Sequence, residues 1–371
     1  MKTKILHIIP GLKIGGTEKS LLKFIINSNN QFNHIVFSLT TDGKMDEIFH
    51  HNNVKLVKFN LKNKFIPEII NMKNEIKKVD PNIVYTWLYP ANIIGGIVCK
   101  FLGYKKIVWG LRGTSIPQSY FSIQGFFVLV SIFFSYFIPQ KIICNALSVK
   151  NFHSSILFDK KKIEVIFNGF DKIKTNKISF EDKKILLNKQ INKNTIIIGT
   201  IGRYDALKGY EMLISSISTL KKKYKHIKLV MVGRGLNYDN IKIYKLLMDL
   251  SLLDDVLLLG EQKNPNKFME IFDIFCLSSL KEGFPNVLCE AMIHGKLCVS
   301  TDVGDVSNIL AETGIVVKNN QKNFSEGIEK IINMNDNDKK QMSLSAKHRV
   351  EMLYSTKKNT DHLTNLLNDL K

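Results

Sequence analysis

The chain has 371 residues, 44% of them hydrophobic and 23% charged, with 53 Lys and Arg against 33 Asp and Glu for a formal charge of +20. That apolar share excludes a disordered chain, and the length predicts two domains rather than one enlarged core. Five cysteines in apolar contexts, with no CxxC pair, exclude a disulfide framework or a zinc ribbon and point to a reduced, cytoplasmic protein.

Strand and helix patterns alternate from the start. Lys4–Ile9 reads as a short apolar strand, closed by Pro10–Gly11 and too short for the core of a cleavable leader. Gly15–Gly16 then opens a helical run. His34–Ser38 and Val54–Val57 read as strands, Phe65–Lys78 as a helix, and Asn82–Thr86 as a strand leading into a helix from Ala91. Further strands are predicted at Lys106–Trp109, Lys141–Cys144 and Ile163–Phe167. The polar, Lys-rich stretch 171–194 lacks periodicity and reads as a linker. A second alternating series follows, with strands at Thr195–Ile201, His226–Val232, Val256–Leu259, Ile274–Leu277, Leu297–Ser300 and Thr313–Val317. Helices are predicted at Tyr210–Tyr224, Val287–His294, Phe324–Met334, Asp338–Tyr354 and Lys357–Leu370. Such alternation predicts two doubly wound α/β units, with ligands beyond the carboxyl ends of the strands.

The charge is uneven. Residues 1–170 carry 22 basic against 9 acidic residues, and no carboxylate lies between Asp80 and Asp159. Part of the excess accompanies a general richness in Lys, Asn and Ile. The asymmetry favours an acidic partner such as nucleic acid, anionic lipid or a phosphorylated substrate. Within this region Gly125–Ile138 is densely apolar, yet fourteen residues fall short of the ~20 that span a bilayer. A buried helix and a helix lying in a membrane surface both fit it.

Three loops carry candidate chemistry. The first is PGLKIGGTEKS, where Gly15 and Gly16 permit close backbone approach at a helix start; it lacks the Lys of a Walker loop and is not GxGxxG. It reads equally as a tight turn. The second is GRYDALKG, whose Arg203 and Lys208 can converge on one anion. The third is EGFPNVLCE. Its Glu282 and Glu290 can face one ligand, and the amides of Asn286, Val287 and Leu288 open a helix. No His/Cys/Asp set has metal spacing. Asp336–Asn337–Asp338 reads as a turn or helix cap, and His7, His153 and His294 as packing residues. No helix-turn-helix or aromatic-interleaved basic patch suggests a nucleic-acid partner.

Together these motifs resemble the retaining GT-B glycosyltransferases of family 4. The resemblance runs through IIPGLKIGGTEKS, VIFNGFD at Val165–Asp171, IGRYDALKG, VGRG, EGFPNVLCEAMIHG and TDVGDVSNIL. It implies two Rossmann-like domains facing a central cleft. Residues 1–170 would form an acceptor domain and 195–356 a donor domain, with helix 357–371 returning to the first. By resemblance Arg203 and Lys208 would hold the donor diphosphate, and Glu282 would bind donor-sugar hydroxyls. The segment of Gly283, Phe284, Pro285, Asn286, Val287 and Leu288 would lie near sugar and phosphates, with its backbone amides toward them. Glu290 would hold the ribose, and Gly15 and Gly16 would approach from the other domain. Members often carry a His where this chain has Arg112. The chain resembles instead a subgroup with W-G-[IL]-R, and Trp87, Tyr89 and Arg112 are the acceptor-side candidates. The implied donor is a UDP- or GDP-sugar, used as substrate without metal or cofactor. The implied acceptor is a lipid-linked or growing glycan of a bacterial surface polysaccharide, at the cytoplasmic face of an anionic membrane. A soluble-acceptor transferase or an epimerase of the same fold is the alternative.

Overall fold

A computed structural model describes residues 2–114, 122–173, 179–187 and 191–370. The chain divides into two compact units, Met1–Gly169 with Thr356–Lys371, and Phe170–Ser355.

The first unit is built from β1 (Thr3–Ile9), α1 (Gly16–Ser28), β2 (Phe32–Ser38), α2 (Asp46–His51), β3 (Lys55–Lys58), α3 (Phe65–Val79) and β4 (Ile83–Trp87). It continues through α4 (Leu88–Phe101), β5 (Ile107–Leu111), α5 (Ile123–Ser135), β6 (Lys141–Cys144), α6 (Leu147–Ser155) and β7 (Ile163–Val165). The second unit contains α7 (Phe180–Leu186), β8 (Ile196–Ile201), α8 (Tyr210–Lys221), β9 (Ile227–Val232), α9 (Ile241–Asp249), β10 (Val256–Leu258) and β11 (Ile274–Leu277). After these come α10 (Asn286–Ile293), β12 (Leu297–Thr301), α11 (Val306–Leu310), β13 (Ile315–Val317), α12 (Gln321–Ile332) and α13 (Asp336–Leu353). Helix α14 (Thr356–Asn368) belongs to the first unit again.

Each unit has one parallel sheet, ordered β3-β2-β1-β4-β5-β6-β7 in the first and β10-β9-β8-β11-β12-β13 in the second. Central strands are apolar on both faces because helices cover both: Ile5, Leu6, Ile8 and Ile9 of β1 are all fully buried. Strand order reverses between β1 and β4 in the first sheet and between β8 and β11 in the second. A crevice opens at the carboxyl ends of strands where the order reverses, so these two points set the places for ligand chemistry.

Helix α14 completes the first core. Its Leu363, Leu366 and Leu367, with Leu370 of the turn after it, pack with Leu21, Phe24 and Ile25 of α1. Asn359 Nδ2 donates to the Asn168 carbonyl at 3.1 Å. The second core centres on Leu213, Ile217, Leu229, Met231, Val299 and Ile328.

Several elements differ from the expectation. The stretch 171–194 holds α7, although 174–178 and 188–190 lie outside the described residues. Ser179 and Asp182 form a reciprocal cap there: the Asp182 amide donates to Ser179 Oγ at 3.1 Å, and that hydroxyl donates to Asp182 Oδ2 at 2.7 Å. The short helices α2, α6, α9 and α11 also escape a reading that relies on repeated apolar periods. Asp336 and Asp338 lie in the first turn of α13, where Asn335 Oδ1 accepts from the Asp338 amide at 2.9 Å. Helix α5 is not buried all round, since Phe126 and Phe133 are 61% and 62% exposed. Among the described residues no helix is long and apolar enough to cross a membrane.

Candidate functional site

In the second unit the predicted residues gather at the strand reversal. Arg203 and Lys208 follow β8, and Glu282 follows β11. Lys208 Nζ donates to Glu282 Oε1 at 2.6 Å, and Ser279 Oγ donates to the same oxygen at 2.7 Å. Both charged side chains are largely buried, so the pair is weakly screened. Arg203 turns instead to Asp205, with Nη2 3.0 Å from Oδ2. Asp205 also caps the turn before α8 by accepting from the Leu207 amide at 3.0 Å. That amide, and then the Arg203 guanidinium, hold the Asp205 carboxyl below its ordinary range. Arg203 and Lys208 thus reach the same reversal point, each on its own carboxylate.

Backbone geometry holds these loops. Gly209 has φ +62, and a Cβ there would clash with the Ser278 carbonyl oxygen. Ser278 Oγ donates back to the Lys208 carbonyl at 2.9 Å, and the Leu280 amide to the Leu207 carbonyl at 2.7 Å. On the other side Gly304 has φ +58 and lies against the Glu282 and Gly283 carbonyls. The Asp305 amide donates to the Gly283 carbonyl at 3.0 Å. The TDVGD loop therefore braces Glu282 from behind.

Phe284 is buried, stacked on Phe170 with centroids 6.2 Å apart and edge-on to Tyr354 at 5.4 Å. Pro285 precedes α10, and Asn286 and Val287 sit half-buried in its first turn. Leu288 departs from the expectation of an open amide. Its N–H donates to the Pro285 carbonyl at 3.0 Å, and its side chain is in the core, because the helix start tightens into a three-residue turn. Glu290 lies half-buried farther along α10, and its charge, after burial, pushes the Cys289 thiol up.

In the first unit Gly15 is the extended residue before α1 and Gly16 its first residue. Glu18 folds its carboxylate back toward Gly15, and burial raises its pKa above the ordinary value. Trp87 ends β4, Tyr89 opens α4 and Arg112 follows β5, so all three share the carboxyl edge beside β1. Leu88 between them has φ +69, a strained conformation for a branched side chain and a mark of a constrained site. The Arg112 guanidinium lies 4.7 Å from the Trp87 ring centroid and donates from Nη1 to Asn168 Oδ1 at 2.5 Å. Arg112 lines two pockets. One includes Ser20, Lys23, Trp87 and Asn168; the other is formed with Thr17, Leu88, Tyr89, Leu111 and Gly113.

The histidines are buried and networked. Trp87 Nε1 donates to His7 Nδ1 at 3.3 Å, His7 Nε2 lies 3.0 Å from His34 Nδ1, and His34 Nε2 lies 3.0 Å from Ser28 Oγ. Because Trp87 can only donate, His7 carries its proton on Nε2 and His34 on Nε2. Burial lowers the pKa of both, His34 to about 4. His153 accepts from the Tyr89 hydroxyl at 2.6 Å, with Nδ1 held by the Val149 carbonyl, and burial lowers it to about 4. His294 pairs with Glu270 at 2.9 Å.

Sequence reading missed Ser279, Asp205, Tyr210, Ser20 and Asn168. Tyr210 lies beneath Gly202, and its phenol is pushed up by burial and then by Glu282. Asn168, Asp205 and Ser20 stand within VIFNGFD, GRYDALKG and PGLKIGGTEKS, yet their partners, like those of Ser279 and Tyr210, come together only through the fold. Among the described residues no three His, Cys, Asp or Glu side chains group as metal ligands.

Comparison with known proteins places this geometry. A model of the family "Glycosyl transferases group 1" matches residues 181–349. An uncharacterized glycosyltransferase of Methanocaldococcus jannaschii is 29% identical over 61% of this chain, and the match spans 57% of that relative's length. A capsular polysaccharide biosynthesis glycosyltransferase of Staphylococcus aureus is 26% identical over 98% of this chain and 97% of its own. A crystal structure of Anabaena HepE in complex with UDP-glucose superposes with a TM-score of 0.85 at 19% identity, covering 99% of both chains. Residues 181–349 thus match a glycosyl transferases group 1 domain, and the chain that carries them has the α/β GT-B fold.

Proposed function

We propose that this protein is a retaining glycosyltransferase that moves a sugar from a UDP- or GDP-sugar to a lipid-linked or growing glycan acceptor. The observation that carries this reading is the Lys208–Glu282 pair beside Ser279 at the strand reversal. A cation and a carboxylate held side by side suit a ligand in which a diphosphate adjoins a polyhydroxy ring. On donor binding Lys208 turns to the diphosphate and Arg203 joins it. Glu282 then accepts from sugar hydroxyls, and Glu290 from the ribose. The two cations stabilise the departing diphosphate without metal, by the electrostatics of a preorganised site. The acceptor hydroxyl attacks on the face the diphosphate leaves, through an oxocarbenium-like state, and the leaving phosphate takes its proton.

Relatives support the substrate class. A Campylobacter jejuni protein named as a diphospho-undecaprenol N-acetylgalactosaminyltransferase is 30% identical over 59% of this chain and 56% of its own length. The Staphylococcus relative is named for capsule synthesis. On this reading the enzyme works at the inner face of the cell membrane, held peripherally, with Arg112, Trp87 and Tyr89 on the acceptor side and Gly15 and Gly16 approaching donor or acceptor.

A thermal-shift screen of UDP, GDP, ADP and their sugars tests it. Ligand at 100 times its dissociation constant adds about 2.7 kcal/mol, an easily read shift. Stabilisation by a UDP- or GDP-sugar, lost in Glu282→Ala, supports the reading; no response to any nucleotide sugar overturns it.

A further inference from the structure

Helix α5 is built inside out. Its inward side carries Gly125, Val128, Ser131 and Ser135, all buried, and packs on α4. Three large side chains point the other way, Phe126 and Phe133 at 61% and 62% exposed and Leu129 at 48%, and Phe137 in the turn after the helix is 59% exposed. At about 100° per residue Phe126, Leu129 and Phe133 fall within about 60° of one another, so they form one continuous stripe, and Phe137 extends it with its ring centroid 5.3 Å from that of Phe133. Folding in water selects the opposite arrangement, large apolar groups inward and small ones outward. An aromatic stripe of this kind on a 13-residue helix is stable in function only when an apolar phase meets it.

The surroundings indicate which phase. Lys162 Nζ donates to the Ser135 and Tyr136 carbonyls at 3.0 and 2.6 Å, so the Lys160–Lys162 turn sits on the carboxyl end of α5. Tyr136 donates its hydroxyl to the Leu157 carbonyl at 3.0 Å, which sets exposed Leu157 beside the same end. Lys160 and Lys161 are exposed there. Between residues 81 and 158 the chain has six basic residues and no acidic one. A second copy of a +20 chain would meet this rim with like charge; an anionic lipid surface meets it with opposite charge.

We infer that the Phe126–Leu129–Phe133 face of α5, with Phe137 of the following turn and the Lys160–Lys161 rim, inserts into the headgroup boundary of an anionic bilayer. This rests on the membrane-side reading above and names the surface that realises it. The rings enter the interface while the lysines stay at the phosphates.

The test is flotation of the full chain with phosphatidylcholine vesicles, with and without phosphatidylglycerol. The expected result is salt-sensitive binding to anionic vesicles. A Phe126→Ser, Phe133→Ser, Phe137→Ser variant weakens it about tenfold or more, and Lys160→Glu with Lys161→Glu weakens it selectively on anionic vesicles. Both variants keep the wild-type thermal response to nucleotide sugar, since neither touches the second unit. Absence of vesicle binding at low salt, or wild-type binding by the triple Phe variant, overturns the proposal. So does a dimer in solution that the triple variant dissolves, because the face then serves a second copy. Loss of nucleotide-sugar response with vesicle binding intact instead overturns the function proposed above and leaves this face standing.

Discussion

Lys208 Nζ sits 2.6 Å from Glu282 Oε1, although 74 residues separate the two in sequence. Each is a charged partner of the other, so a ligand that engages either residue competes with this contact. Glu282→Gln is expected to leave UDP binding unchanged or up to about tenfold tighter, because Lys208 loses its carboxylate, while sugar transfer falls about 100-fold or more. Lys208→Met is expected to weaken UDP by about tenfold to 100-fold. Titration calorimetry with UDP, beside turnover of the nucleotide sugar, separates the two. Equal weakening of UDP in both variants contradicts the split.

Arg112 is held between the Trp87 ring and Asn168 Oδ1. A planar guanidinium stacks and donates sideways at once, which an ammonium does not. Arg112→Lys is therefore expected to raise the acceptor KM about tenfold without altering UDP affinity, a difference of about 1.4 kcal/mol. A change in UDP affinity of the same size assigns Arg112 to the donor instead.

Gly209 and Gly304 each need a left-handed backbone with a carbonyl where a side chain would begin. Gly209→Ala and Gly304→Ala are expected to destabilise by about 2–3 kcal/mol each, from conformational strain plus the clash. Urea denaturation followed by fluorescence reads this directly; a shift below experimental error in both refutes it.

Stability should fall in mild acid. His34 and His153 are neutral in the fold, with pKa values lowered to about 4 by burial, whereas the unfolded chain takes up protons near pH 6.5. Between these values the unfolded state binds more protons, so stability rises with pH there and is fully present above about 6.5. Each residue then removes up to about 3 kcal/mol as pH falls toward 4. His7 titrates downward for the same reason and steepens the loss. A melting temperature that stays flat from pH 7 to 4.5 is incompatible with neutral buried histidines.

The strands were the most legible part of the sequence. KILHII, NIVYT and KIIC are apolar at most positions, as strands covered on both faces must be, and flanking Gly and Pro mark their ends. The loops of the site were legible where a charged residue stood beside glycines, as at Arg203, Lys208 and Glu282. Ser279, Tyr210 and Asn168 were not, because an ordinary polar residue gains its role from partners far along the chain. Asn168, for instance, meets Ser20 and Arg112 through side-chain hydrogen bonds at 3.0 and 2.5 Å. The hydrophobicity of α5 was evident, but its orientation was not. Fourteen residues of densely apolar pattern carry no clear phase, and only packing against α4 decides which side faces out.

Helix α14 supplies Leu363, Leu366 and Leu367, and the turn after it Leu370, to a core whose other residues all lie before position 170. During synthesis every residue of the second unit, Phe170–Ser355, is added before those of that helix. The first unit must therefore wait with one flank of its sheet layer uncovered, and becomes complete only after its neighbour has been made. Truncation before Leu363 would leave every residue of the second unit in place and the core of the first one open.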